Sequence, residues 1–324
     1  MRIGGIAAAI LLGFATLGQA APLNPKKVAS DAKWVAHLDV DAMRMSIVVK
    51  QAYQHLVDQS PAAKVAAPML EASRALIGMD PRTDLHGLTL YGRQIGKHEG
   101  VVIVLADADQ ALLTEKVKQA KGYESCKHGS HELHCWIHKD RRGKRPVTGA
   151  FHGDKVMVFS GSVDDVKAAL DVLDGKTPGL TCKVLSAKAP AGTTVLARAV
   201  GIAEAVAESN CPSKLAKQIE SVCIAVGEQE SRSFLKVQVV TNCPEVAKQM
   251  GQVAEGIRAL GILHAVECPK DKQLVEGMKI KVAGKTVTVD SSAPAEAVWQ
   301  HIKANAKKMI EQHGKMHRWH GGKK

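Results

Sequence analysis

Apolar and polar positions along this 324-residue chain alternate, run together or recur at helical spacing in distinct stretches, and the order of these stretches is used twice. The segment Trp34-Val-Ala-His-Leu-Asp-Val-Asp-Ala reads as an apolar strand running into a helix. It returns in weakened form as Thr194-Val-Leu-Ala-Arg-Ala-Val-Gly-Ile. Behind each comes a strand (Leu88-Thr-Leu-Tyr, then Val222-Cys-Ile-Ala), a second strand (Val101-Val-Ile-Val-Leu, then Leu235-Lys-Val-Gln-Val-Val) and a helix. Each half closes on a hairpin and a last helix. A fixed order of elements recurring in two halves predicts a duplicated unit.

In the first copy, residues 31–180, the pattern predicts a strand over 33–40 and a helix over 42–57 with Asp41 as its N-cap. A break at Ser60-Pro61 precedes a second helix ending near Gly78. Strands over 88–91 and 101–105 follow, then a helix over 110–120 capped by Asp107 or Asp109. Strands over 123–128, 131–139, 147–151 and 155–160 lead to a helix over 163–173 begun by Ser162. In the second copy, residues 191–312, strands are expected over 194–200, 222–226, 234–241, 278–282 and 285–290. Helices are expected over 202–208, 245–260 and 295–308, with a short one over 213–220. Short polar turns between neighbouring strands favour antiparallel pairing. The expected fold class is therefore α+β: two tandem repeats, each an antiparallel sheet with helices packed on one face.

The ends carry a different signal. Residues 1–20 read as a signal peptide: Arg2 as the charged start, an apolar run from Ile6 to Leu17, and Gly18-Gln19-Ala20 as the cleavage site before Ala21. Residues 21–30 form a linker, and residues 313–324 a basic, His-rich tail expected to be disordered. No later stretch has the roughly 20 consecutive apolar residues a membrane helix needs. The expectation is an exported protein, periplasmic or secreted, with no transmembrane segment once the signal is removed.

Composition sharpens this. Hydrophobic residues make up 45% of the chain, but aromatic residues only 3%, so the cores must be built from aliphatic side chains. Few aromatics also leave little for stacking bases, and no nucleic acid is expected as a partner. The net charge of +12 is concentrated: Lys139–Arg145 holds five basic residues against Asp140, and Lys303–Lys324 seven against Glu311. With Arg2 counted out as well, the rest of the chain is close to neutral. Such runs are often merely solvated; as binding features they fit an envelope protein, an anionic polymer or a membrane surface.

Ala32-Lys-Trp-Val-Ala-His-Leu-Asp-Val-Asp, Asp84-Leu-His-Gly-Leu-Thr-Leu-Tyr-Gly and Gly149-Ala-Phe-His-Gly-Asp resemble a family of uncharacterised exported bacterial proteins of the planctomycete type. The resemblance lies mainly over residues 31–180. It implies an envelope or secreted location and brings no reaction, cofactor or catalytic residue.

The unusual local cluster is Cys126-Lys-His-Gly-Ser-His-Glu-Leu-His-Cys-Trp-Ile-His138. With Gly129-Ser130 as a two-residue turn, His128 faces His131 and Cys126 faces Leu133. Period-two alternation then places Cys126, His128, His131 and Cys135 on one face, a donor set suited to zinc or copper. Two plainer readings stand beside it: a Cys126–Cys135 disulfide, which needs a register one step away, and a surface hairpin that binds nothing. Seven cysteines cannot all pair within one chain, and Cys223 in its apolar strand reads as a buried free thiol. Cys211, Cys243 and Cys268 could supply a bridge. The tail residues His313, His317 and His320 suit only adventitious metal binding.

Motifs for catalysis are missing: there is no Gly-x-Ser-x-Gly, and His131-Glu-Leu-His134 is one residue too short for a metalloprotease helix. Asp39 with Asp41, and Asp107 with Asp109, precede helices and read as caps rather than acid–base pairs. The function expected is a non-enzymatic binding or structural role in the cell envelope, with no cofactor. The alternatives are transition-metal binding by the hairpin and a hydrolase built from scattered residues.

Overall fold

The structure is a computed structural model that describes residues 21–59, 72–95, 100–140, 143–207, 215–267 and 271–305. The expected signal peptide, the break at Ser60-Pro61, the tail histidines, Cys211 and Cys268 lie outside the described residues.

Among the described residues, twelve strands form one antiparallel sheet. On one side of β1 (Trp34–Asp39) lie, in order, β2 (Leu85–Gly92), β3 (Val101–Ala106), β7 (Val156–Ser160), β6 (Gly143–His152), β5 (His131–Asp140) and β4 (Glu124–His128). On its other side lie β8 (Thr193–Val200), β9 (Ile219–Gln229), β10 (Arg232–Thr241), β12 (Thr286–Pro294) and β11 (Met278–Ala283). The two halves meet where β1 pairs with β8, Ala36 opposite Ala197. Helices connect and cover the strands: α1 (Val40–Met45), α2 (Ile47–Gln59), α3 (Ser73–Ile77), α4 (Gln110–Lys118), α5 (Val163–Leu173), α6 (Lys183–Ser186), α7 (Ile202–Ala207), α8 (Pro244–Glu267), α9 (Lys272–Glu276) and α10 over 295–305.

The α+β class with antiparallel pairing is as expected, but helices on one face only is corrected. On one face of the sheet, Val166, Ala169 and Leu170 of α5 pack with Val35, Ile103, Leu133, Ala150 and Val158. On the other, Val40 of α1 and Leu113 of α4 pack with Leu85, Val104 and Met157. The cause lies in β3, where Val101-Val-Ile-Val-Leu is apolar at both parities. A strand of that kind is stable only with both faces covered.

The first helix also differs from expectation. Asp39, not Asp41, is the cap, its carboxylate accepting from Ala42 N at 2.8 Å. Ser46 then leaves helical geometry (φ −62°, ψ 133°) and divides the predicted helix into α1 and α2. Asp41, freed from capping, is buried in an ion pair with Arg44, and its carboxylate also lies 3.0 Å from His86 Nδ1. His86 Nε2 in turn meets Asp107 at 3.0 Å. Of the second acidic pair, Asp109 is the cap, accepting from Leu112 N at 2.9 Å.

Candidate functional site

Among the described residues, a group of metal-ligating side chains lies at the edge of the first core. The register His128↔His131 and Leu133↔Ala150 carries one row of side chains across β4, β5 and β6: His128, His131, His152. One row further in, Leu133 and Ala150 belong to the apolar layer under α5. The histidines therefore sit on the α5 face, where that layer ends.

The last turn of α5 supplies the acids. Asp171 and Asp174, three residues apart on a helix, project to the same side. Asp174 Oδ1 lies 3.0 Å from His131 Nε2 and 3.2 Å from His152 Nε2. Asp171 Oδ1 lies 2.8 Å from His128 Nε2. The imidazoles of His131 and His152 are neighbours, with centroids 5.5 Å apart. Ligand atoms from His131, His152 and Asp174 all fall within 4.8 Å of one another.

Two carboxylates at a helix C-terminus oppose the helix dipole, so this site gathers positive charge. Gly175 (φ +75°) turns the chain, and the Lys176 N–H closes back on the Asp171 carbonyl at 2.8 Å. That return brings Lys176 Nζ to 2.8 Å from Asp174 and 3.5 Å from Asp171. The Lys176 ammonium and the His131 imidazole together hold the Asp174 carboxyl down to about 2. His128 and Lys176 lower that of Asp171.

Of the four predicted ligands, only His131 belongs to this group. The predicted register is the observed one: Cys126 faces Leu133 and His128 faces His131. Rows two residues apart on a strand are spaced by nearly 7 Å. Cys126 is one row from His131 and Cys135 is two, too far to converge on one ion. Cys135 Sγ instead meets Thr148 Oγ1 at 3.6 Å, Cys126 is exposed, and both are free thiols, so the disulfide alternative is not formed. His128 is taken by Asp171. Cys182, Cys223 and Cys243 are also free, and Cys223 accepts a hydrogen bond from Arg198 at 3.4 Å. His152 and Asp174 were missed because they lie far from the hairpin in sequence. The usable signals were His152 at a Gly153-Asp154 turn and an Asp-x-x-Asp pair ending a helix.

A second feature is a surface. Helix α8 packs on β11, β12 and α9 through small residues: Ala247, Gly251 and Ala265 are buried, with Ala254 and Gly261 between them. A Cβ on Gly251 would collide with Val282, and one on Gly261 would stand 3.2 Å from Val275. The large aliphatic residues point the other way. Val253, Ile257, Leu260, Leu263 and Val266 are 64, 62, 67, 65 and 75% exposed. The helix is thus amphipathic in an inverted sense, with its small face inward and its greasy face outward. Beside its C-terminal end, Asp271 bonds His301 of α10 at 2.6 Å and lies 3.6 Å from His264 of α8. No helix among the described residues is long and apolar enough to cross a membrane.

Between α3, α4 and β5–β7, on the face opposite α5, lies a cavity of about 300 Å³ lined by Leu76, Leu113, Trp136, Phe151 and Phe159. His134 closes one side, its Nδ1 3.0 Å from the Tyr123 hydroxyl, and burial pushes its pKa down.

No protein-family model and no curated protein sequence matches the chain. Among solved structures, three crystal forms of the treponemal protein TP0453 are similar in outline. Form III aligns at TM-score 0.44 and 10% identity, over 88% of this chain and 99% of that one. Form IV gives 0.44, 10%, 88% and 97%, and form I gives 0.41, 11%, 88% and 98%.

Proposed function

We propose that this is an exported, non-enzymatic binding protein of the cell envelope, periplasmic or secreted, that docks on an anionic membrane surface through α8. The observation that carries it is the row Val253, Ile257, Leu260, Leu263 and Val266, turned outward from a helix that already packs by its small face. Full burial of one such side chain is worth about 1.5–3 kcal/mol. A helix lying in the headgroup boundary buries much of such a row. Charge selects the membrane over a neutral apolar partner. His301 of α10 and His264 of α8 both lie against Asp271, and in the sequence Lys303 to Lys324 carries seven basic residues against one acid. Basic residues near an anionic leaflet contribute about 1 kcal/mol each.

The test is co-sedimentation of the exported protein with vesicles of phosphatidylcholine alone or with phosphatidylglycerol. Binding to the mixed vesicles, weakened by salt and abolished by Ile257→Gln with Leu260→Gln, is the expected result. Equal recovery of both proteins with the vesicles, or of neither, overturns the reading.

Duplication of one α+β unit is part of the same proposal. Its support is the strand order outward from the β1–β8 pair: β1-β2-β3-β7-β6 on one side, β8-β9-β10-β12-β11 on the other. The third strand of each series is followed by a helix, α4 or α8.

A second reading, transition-metal binding, rests on one observation. Both imidazole Nε2 atoms approach the same oxygen of Asp174, at 3.0 and 3.2 Å. Zinc bonds of about 2.0–2.1 Å in a tetrahedron place ligand atoms roughly 3.3 Å apart. His131, His152 and Asp174 would hold such an ion, zinc or copper, with Lys176 orienting the second carboxylate oxygen. Titration of zinc into chelator-treated protein in which His313, His317 and His320 are replaced by Ala tests this. One equivalent, lost in His152→Ala, is expected; binding unchanged by His152→Ala and by Asp174→Asn would sink the idea.

A further inference from the structure

Asp39 is a buried carboxylate without a cation. It is 2% exposed, its carboxylate accepts the cap hydrogen bond from Ala42 N at 2.8 Å, burial pushes its pKa up, and no ion pair among the described residues includes it. The neighbouring Asp41 owns both Arg44 and the His86 contact. On the same face of β1, His37 does not supply the charge, since burial lowers its pKa and keeps it neutral. A carboxylate taken from water this completely is costly unless it is paired.

The group that approaches Asp39 from outside the strand is the backbone of Ala21. The Ala21 carbonyl lies 2.8 Å from His37 Nε2. A carbonyl only accepts, so Nε2 carries the proton, and Nδ1 accepts from the Thr89 hydroxyl at 2.8 Å. The Ala21 methyl lies against Gly87, where a Cβ would stand 3.6 Å from it. Ala21 and Pro22 line a pocket of about 190 Å³ with His37, Gly87 and Thr89. Gly87 is the cross-strand partner of Asp39, so the Ala21 backbone lies beside that carboxylate, and its amide helps to hold the Asp39 pKa down against burial. In the sequence, the Ala20–Ala21 bond is the one that follows the small-residue cleavage site.

We propose that cleavage after Ala20 completes the fold: the new α-ammonium of Ala21 becomes the counter-ion of Asp39. This rests on the export reading. Hydrolysis consumes one water. Ala20 departs with the leader as a carboxylate, and the Ala21 nitrogen, once a neutral amide with one N–H, becomes an ammonium with three. The site is otherwise unchanged, since Ala21 is already held by His37 and Gly87. The precursor keeps an uncompensated buried charge, and processing removes that penalty. Folding is thereby coupled to maturation.

The test uses the precursor exported in full and its N-terminus determined by intact mass. The mature chain is then compared with a form retaining Ala20, each with and without Asp39→Asn, a change that preserves the cap. The expected result is a chain beginning at Ala21 whose Tm exceeds that of the Ala20-extended form by roughly 5 °C. That difference disappears in the Asp39→Asn pair and shrinks at alkaline pH as the amine deprotonates, with His37 and Asp41 the other titratable groups facing Asp39. A chain starting elsewhere overturns the export reading and this inference with it. A chain starting at Ala21 with equal Tm values, or a difference that survives Asp39→Asn, overturns the ion pair alone.

Discussion

The carboxylate of Glu228, near the end of β9, accepts the Ile47 N–H at 2.8 Å and the Ser46 hydroxyl at 2.8 Å. Helix α2 is thus capped from a strand 181 residues away in sequence. An acid at a helix N-terminus satisfies orphan donors and complements the dipole at once. Here it also ties the second half of the chain to the first, beyond the β1–β8 pairing. Glu228→Ala should cost about 1–2 kcal/mol in urea unfolding, and Glu228→Gln less. If both variants unfold at the wild-type midpoint, the cap is not a stabilising tie.

The inverted helix α8 makes a paired prediction. Gly251→Val, on the inward face, must push the helix off Val282, and overpacking of that kind costs about 1–3 kcal/mol. Ile257→Gln, on the outward face, should leave stability within about 0.5 kcal/mol. Equilibrium urea unfolding of the two decides, and the reverse ranking would mean that the aliphatic face is the packed one.

Arg44 is buried, pairs with Asp41 and donates to the Leu85 carbonyl. Removing one partner strands the other charge in the core. Arg44→Met should therefore cost about 3–5 kcal/mol, with much of it recovered when Asp41→Asn is added. A double-mutant cycle showing additivity would contradict this.

The pH dependence has a definite sign. Burial lowers the pKa of both His37 and His134 below the ordinary 6.5. Below 6.5 the unfolded chain takes up protons that the folded chain refuses. Their contribution is complete above that value and is lost as pH falls toward the folded pKa values. Stability should decline as pH falls below 6.5, and His134→Gln should flatten the decline. A slope unaffected by His134→Gln would assign it to other groups.

What could be read from the sequence was local. Ser162 and the apolar spacing behind it place α5 at its observed bounds, Val163–Leu173. Gly129-Ser130 fixes the hairpin register, because the turn and the alternation agree. What could not be read depends on which surfaces meet. Asp174 is recruited to His131 by the packing of α5 on β5 and β6, a contact 43 residues long that no spacing rule encodes. A helix over 245–260 was expected, but α8 runs to Glu267 and takes in Leu263 and Val266, and the direction of its apolar row was hidden. Periodicity shows that large residues share a side; only the close approach at Gly251 and Gly261 shows that the sheet takes the other one. Asp39 and Asp41 look alike in sequence, and one became a cap while the other became a buried ion-pair member.

The most direct test of the central claim is backbone hydrogen exchange of the protein with and without anionic vesicles, read peptide by peptide. Docking through α8 predicts added protection over 253–266, lost in the presence of high salt and in Ile257→Gln with Leu260→Gln. Unchanged exchange over 253–266 while the protein is vesicle-bound would contradict it, because binding would then run through another surface.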